Sequence, residues 1–234
     1  MKILAIDTSG PVASCAVLVD GRVVHMVYMD QGLTHSETLM PAVDSALETA
    51  GLTAAEIDAF AAVAGPGSYT GVRIGICAAK GFAHANGKKC ASVHALEALA
   101  MNLPYFAGTV CPILDARRGQ VYCAAFDTTS GRPRRVLADA ACALEDYLDQ
   151  LPAEGRLIFL GDGVRTYAER VREICGERAL IAPENARNLR ADSAGLLALD
   201  PDAWIEPAAL RPIYLRAPQA ERERAERLKR EGRA

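Results

Sequence analysis

The amino-acid sequence predicts an α/β protein built from two related lobes. Three observations carry this prediction. Short β-branched runs alternate with helical patterns along the chain. The order of elements in the first half recurs, in weaker form, in the second. Both halves place a polar turn after their opening strand and a glycine turn between a later strand and a helix. The 234 residues suffice to bury two modest cores without disulfide or metal staples.

The first half opens with a buried strand, Lys2–Ile6, that ends at the polar trio Asp7-Thr8-Ser9. Val12–Val19 and Arg22–Met29 are β-branched runs joined by Asp20-Gly21, a strong hairpin signal. Leu39, Met40, Val43, Ala46, Leu47 and Ala50 then recur at helical spacing, with Gly51 as the stop. Thr34 and Glu37 have the spacing of a capping box. Pro41 falls within the first turns, which predicts a kink or a later start. Ala59–Ala64 reads as a strand, and Gly65-Pro66-Gly67-Ser68 turns it into an Ala-rich helix ending near Asn86.

In the second half, Thr109–Leu114 is a strand ending in Asp115-Ala116-Arg117-Arg118-Gly119, and Gln120–Phe126 is the strand after it. Arg135–Leu151 holds a strand-to-helix passage. Arg156–Leu160 is a strand ending in Gly161-Asp162-Gly163, and Val164–Cys175 is a helix. Pro104 and Gly108 interrupt the pattern between the halves. The expected organisation is a first lobe over 1–102, a second over 103–216, and a charged tail over 217–234.

Composition narrows the function. A net charge of −3 gives no global positive field for nucleic acid or acidic membranes, so any RNA contact is local or belongs to a partner. The seven cysteines are scattered, mostly within apolar runs, and none stands at CxxC spacing. Zinc ribbons and redox motifs are therefore disfavoured, and buried reduced thiols are expected. No apolar stretch reaches the roughly 20 residues that span a bilayer, and the N-terminus does not read as a signal peptide. A soluble cytoplasmic protein is expected.

Few residues carry chemistry. Gly65-Pro66-Gly67-Ser68-Tyr69-Thr70-Gly71 sits where a strand enters a helix, whose N-terminal amides suit a phosphate. The bland alternative is a tight turn packing strand on helix. The string is neither a Walker A motif nor a dinucleotide fingerprint. Asp7, Thr8 and Ser9 offer a carboxylate and two hydroxyls for a metal-bound phosphate, or simply cap their own turn. A nucleotide-hydrolysing enzyme needs a second acid in the cleft, and Asp115 and Asp162 stand in the matching turns. None of the four histidines forms a helical zinc pair, and no serine lies in a nucleophile elbow, so a peptidase is disfavoured. If Leu39, Met40, Val43 and Ile76 are partly exposed, they form an apolar patch suited to a partner.

The string GPGSYTGVRIG at Gly65–Gly75 resembles the signature of the TsaB (YeaZ) family. ILAIDTS (Ile3–Ser9), HSETLMP (His35–Pro41), DARRGQVY (Asp115–Tyr122) and PIYLRAPQAE (Pro212–Glu221) resemble the same family, in order and over nearly the whole chain. The resemblance implies an actin/hexokinase/Hsp70-like (ASKHA) fold. It also implies a non-catalytic, dimerising subunit of the machinery that places threonylcarbamoyladenosine in tRNA. Such a subunit works beside the catalytic paralogue TsaD and the ATPase TsaE, and forms homodimers when alone. Contacts are implied for the helices His35–Ala50 and Tyr69–Asn86, with Glu37, Leu39, Met40, Val43, Arg73, Ile76, Cys77 and Lys80 as candidates. Tightly bound cofactors are not implied for this subunit, whereas ATP or ADP and a metal are expected in the complex. Asp7, Thr8, Ser9, Gly65, Gly67, Ser68, Thr70 and Gly71 are candidates for a vestigial or composite nucleotide site. TsaD-like proteins hold their metal with two histidines in an HMEGH-like helix; registered on Glu97, those places fall here on Ala95 and Leu99. The alternative is an independent ATPase or phosphotransferase of the same fold.

Overall fold

The computed structural model describes residues 1–32 and 34–216. The first half forms strands β1 (Lys2–Asp7), β2 (Ala13–Val19) and β3 (Arg22–Met29), helix α1 (His35–Ala50), β4 (Ala59–Gly65), α2 (Tyr69–Ala85), β5 (Lys89–His94) and α3 (Ala95–Ala100). The second half runs β6 (Thr109–Asp115), β7 (Gln120–Asp127), β8 (Arg134–Ala143), α4 (Leu144–Leu148), β9 (Leu157–Leu160), α5 (Val164–Cys175) and β10 (Ala179–Ile181). It closes with α6 (Glu184–Arg187), α7 (Ala191–Leu197) and a short strand β11 (Trp204–Ile205).

The repeat inferred from sequence is visible in the topology. One sheet has the order β11-β5-β4-β1-β2-β3 and the other β10-β9-β6-β7-β8. In each, the opening strand lies at the centre, antiparallel to the next strand and parallel to the fourth. Local sequence accounts for these elements. Asp20 and Gly21 both take positive φ, 50° and 77°, the geometry that a two-residue hairpin demands. β4 is buried along its whole length, so its run is apolar without alternation. Gly51 ends α1 in the left-handed conformation, φ 65°.

Helices layer the two sheets. α1 and α2 cover the outer face of the first sheet around Leu39, Val43, Ile76 and Phe60. α4 and α5 cover the outer face of the second around Tyr147, Val164 and Phe159. Between the sheets lie α3 and α7, whose Ala95, Ala98, Ala191 and Ala194 are fully buried among Ile3, Leu18, Phe126 and Leu160. Alanine lets each helix approach a sheet on either side.

Several expectations are corrected. The Thr34–Glu37 capping box does not form: Glu37 is exposed, and its amide donates to the Thr34 carbonyl at 2.9 Å. α1 starts at His35 and runs through Pro41, because the carbonyl that loses its partner belongs to the exposed Glu37 and meets water. The strand Lys89–His94 and the closing elements β10, α6, α7 and β11 lacked a sequence signal of their own. The chain also returns to the first lobe after 190: β11 pairs with β5, and α7 packs on β1 and β2. A cut at 103 therefore separates segments that share one sheet. Cys15, Cys90, Cys111 and Cys123 are buried free thiols, but Cys77 is exposed on α2. The Glu221–Arg230 stretch lies outside the described residues.

The shared helical layer predicts one cooperative unit. Phe126→Ala should cost about 3–5 kcal/mol in urea unfolding, with a single transition seen by both circular dichroism and tryptophan fluorescence.

Candidate functional site

Polar turns gather where the central strands of both sheets end. Asp7 closes β1 and Thr8-Ser9 follow it, Asp115 closes β6, and Asp162 follows β9. Carboxyl ends of parallel strands are the usual place for a ligand in α/β proteins. The turns face one another across a cleft of about 450 Å³ between the lobes, lined by Ser9, Gly67, Tyr69, Asp115, Arg117, Tyr122, Asp162, Tyr214 and Arg216 among others.

The glycine-rich turn is explained by packing. A Cβ on Gly71 would lie 2.0 Å from the Thr8 carbonyl oxygen, one on Gly67 2.3 Å from that of Ser9, and one on Gly75 2.7 Å from the Thr8 hydroxyl. Only glycine lets α2 press so closely on the end of β1. Gly65, at φ 115°, is pressed in turn by Ile213, whose amide donates to the Ala64 carbonyl at 2.7 Å. The Thr8 hydroxyl donates to the Gly71 carbonyl at 2.7 Å, and the Ser68 amide to the Ser9 carbonyl at 2.7 Å. The Gly71 amide donates to the Ser68 hydroxyl, which caps α2. Two amides of the turn are thus already used. Thr70 is exposed on the first turn of α2. The second lobe repeats the device: a Cβ on Gly161 would meet the Ile113 carbonyl oxygen at 2.2 Å.

Asp7 is buried, and its Oδ1 accepts from the Ser9 amide at 2.9 Å and the Ser9 hydroxyl at 2.7 Å. Its Oδ2 has no partner, which no other buried side-chain oxygen or nitrogen among the described residues shares. Burial drives its pKa up to about 6, against the lowering effect of the Ser9 bonds and His35. Burial also raises Asp162, whose Oδ1 accepts from the Asp115 amide at 3.0 Å. Asp7 and Asp162 line one small recess off the main cleft. Asp115 accepts from the Arg117 amide at 2.7 Å and pairs with its guanidinium at 3.4 Å. Among the described residues, no group of three or more His, Cys, Asp or Glu is placed to hold a metal.

The predicted partner face divides. Leu39, Val43 and Ile76 are core, at 2%, 0% and 3% exposure, because α1 and α2 turn them onto the first sheet. Glu37, Met40, Arg73 and Cys77 are exposed. Lys80 is half-buried and donates to the Leu210 carbonyl at 3.2 Å. Sequence reasoning assigned no role to Tyr69, Tyr122, Tyr214, Arg117 and Arg216, although all five lie within or beside the quoted segments. His94, at the end of β5, bridges the lobes, its Nδ1 at 3.2 Å from Asp139.

Two sheets of matching order, with a polar cleft at the ends of their central strands, define a two-lobed protein of the actin/hexokinase/Hsp70-like class. Component A of the (R)-2-hydroxyglutaryl-CoA dehydratase of Acidaminococcus fermentans shares this fold at a TM-score of 0.51 and 13% identity, covering 84% of this chain and 97% of that one. The family model for TsaD, tRNA N6-adenosine threonylcarbamoyltransferase, matches residues 15–193. The tRNA threonylcarbamoyladenosine biosynthesis protein TsaB of Bacillus subtilis is 34% identical over 224 residues, 94% of this chain and 96% of the relative. YeaZ from Pseudomonas aeruginosa superposes with a TM-score of 0.79 at 29% identity, covering 92% of this chain and 99% of that one. The chain belongs to the TsaB (YeaZ) family.

Two predictions follow from the packing and the buried acid. Gly71→Ala should destabilise by about 3 kcal/mol or more, whereas Gly81→Ala on the same helix, which meets nothing within 4 Å, should be neutral or slightly stabilising in the same denaturation assay. For Asp7 the folded-state pKa lies above the unfolded value of 3.8, so its contribution to stability is fully present below about pH 4 and lost as pH rises through about 6. Wild-type stability measured by urea unfolding should accordingly fall from pH 5 to pH 7.5 by on the order of 1 kcal/mol more than that of Asp7→Asn.

Proposed function

We propose that the chain is a non-catalytic partner subunit in the synthesis of threonylcarbamoyladenosine on tRNA. In this reading it binds and activates a TsaD-like transferase through the exposed face of α1 and α2. Alone it pairs with a second copy through that face, and a TsaE-like ATPase joins the complex. ATP or ADP and the catalytic metal reside in the complex, and tRNA is met there, in the cytoplasm.

The observation that carries this reading is the state of Ala95 and Leu99. On the register set by Glu97, the TsaD resemblance implies that they stand where that family's metal-helix histidines would, and both are fully buried in the apolar layer between the sheets. Methyl and isobutyl groups donate no lone pair, so a metal-dependent transfer has no ligand set at those places. The partner face is supported by what surrounds Cys77 and Gly81: both are exposed, and the space above Gly81 is open, as close approach of another helix requires.

One observation favours a second reading, an independent ATPase of the same fold: the unpartnered Oδ2 of Asp7 at the cleft. Magnesium-dependent ATP turnover by the purified chain that vanishes in Asp7→Ala would establish it.

On the partner reading, Cys77→Arg combined with Gly81→Arg should leave circular dichroism and thermal melting close to wild type. The same variant should lose both the homodimer and co-elution with the transferase in size-exclusion chromatography. Retention of co-elution would remove this face of α2 from the interface.

A further inference from the structure

The last described segment, 206–216, returns from the first sheet and crosses the cleft. Leu210 is buried, and its carbonyl accepts from Lys80 on α2. Tyr214 stacks on Tyr69 with ring centroids 5.4 Å apart and an interplanar angle of 24°. Arg73 holds both rings: its guanidinium lies 3.8 Å above the Tyr69 ring, and its Nε donates to the Tyr214 hydroxyl at 2.9 Å. Arg216 then reaches the second lobe, donating one N–H to the Ala116 carbonyl at 3.1 Å.

The result is a mouth with aromatic rings on both walls, Tyr69 and Tyr214 on one side and Tyr122 on the other. Tyr69 and Tyr214 remain 42% and 40% exposed despite their mutual stacking. Large rings fixed in place and left open to solvent are the usual platform for an unstacked base. Arg117 stands at the rim with its side chain 87% exposed, and the half-buried Arg216 lies between the lobes beside it. The deeper lining carries the opposite sign, in Asp115 and Asp162.

This polarity selects the ligand. A free nucleoside polyphosphate would bring several negative charges toward these carboxylates, and among the described lining residues Arg117 and Arg216 are the cations that could receive them. A phosphodiester carries one charge per nucleotide and can stay at the rim, while the base enters between the rings. An exocyclic amino group on that base can donate to the carboxylates below. We infer that the mouth of the interlobe cleft binds single-stranded RNA, taking one unstacked nucleotide with its base against the tyrosines and its phosphates on Arg117 and Arg216.

This site lies at the N-terminal end of α2 and shares Arg73, but not Cys77 or Gly81, with the partner face. It adds a direct RNA contact to the partner-subunit reading, and the two fail separately: one is read by RNA binding to the isolated chain, the other by complex formation.

The test is fluorescence anisotropy of a labelled hexa-adenylate RNA titrated with the full chain. Two phosphate contacts predict that affinity falls roughly 7-fold between about 50 and 200 mM salt. Arg117→Glu with Arg216→Glu should weaken binding by at least about 10-fold, and Tyr214→Ala by about 5-fold or more. Photocross-linked RNA should map to the peptides carrying Tyr69 and Tyr214. Absence of binding by the wild type would overturn the inference. So would wild-type affinity in the Arg117→Glu, Arg216→Glu variant, which would place RNA elsewhere on the chain. Binding of labelled ADP but not of the RNA would show that the cleft serves a free nucleotide instead.

Discussion

The structure depends on how closely backbone is allowed to approach backbone. At Gly67, Gly71 and Gly161 a single added methyl group would fall within 2.3 Å of a carbonyl oxygen, of Ser9 and Thr8 just past β1 and of Ile113 on β6. Those contacts seat the helix after β4 against the end of β1, and the turn after β9 against the end of β6. Between the sheets, fully buried alanines on α3 and α7 play the same part for whole helices. The cleft exists because these approaches bring two polar strand ends face to face, and its shape follows from residues that have almost no side chain.

Much of this was legible in the sequence. β-branched runs, the Asp20-Gly21 hairpin and the glycine stop at Gly51 act locally, and each lies where it was expected. The duplicated order of elements was legible for the same reason, since both halves use the same turn chemistry. The illegible parts are those that tertiary contact decides. β11 spans two residues, and it exists only because β5 offers an edge. Leu39, Val43 and Ile76 lie on helices that were correctly placed. Both helices bury one helically spaced stripe against the sheet, and Leu39, Val43 and Ile76 belong to that stripe rather than to the face left for a partner. The Thr34–Glu37 spacing met the capping-box rule, yet the exposed glutamate makes no such bond.

The candidate site shows the same division. Asp7, Asp115 and Asp162 were selected as acids in equivalent turns, and all three lie around the cleft. Nothing in their spacing announced that Asp7 would keep one oxygen buried and unpartnered, because that depends on what the opposite lobe fails to supply. Nor did the sequence point to Tyr214, which reaches Tyr69 and Arg73 only because the chain doubles back along α2. The glycine turn offered a phosphate cradle and a packing device as alternatives. Its amide partners and the distances at its missing Cβ positions account for it as packing.

The chain keeps the two-lobed fold of its family, and on the register set by Glu97 the metal-ligand places implied by the TsaD resemblance fall on alanine and leucine; the proposal that its chemistry lies elsewhere in the complex rests on this. The most direct test is reconstituted tRNA modification, with threonylcarbamoyl-adenylate supplied and product counted per tRNA. Under our account the chain alone yields none, the TsaD-like transferase alone yields little, and the two together with the TsaE-like ATPase restore modification. Product formed by the chain alone, or a transferase indifferent to its presence, would contradict it.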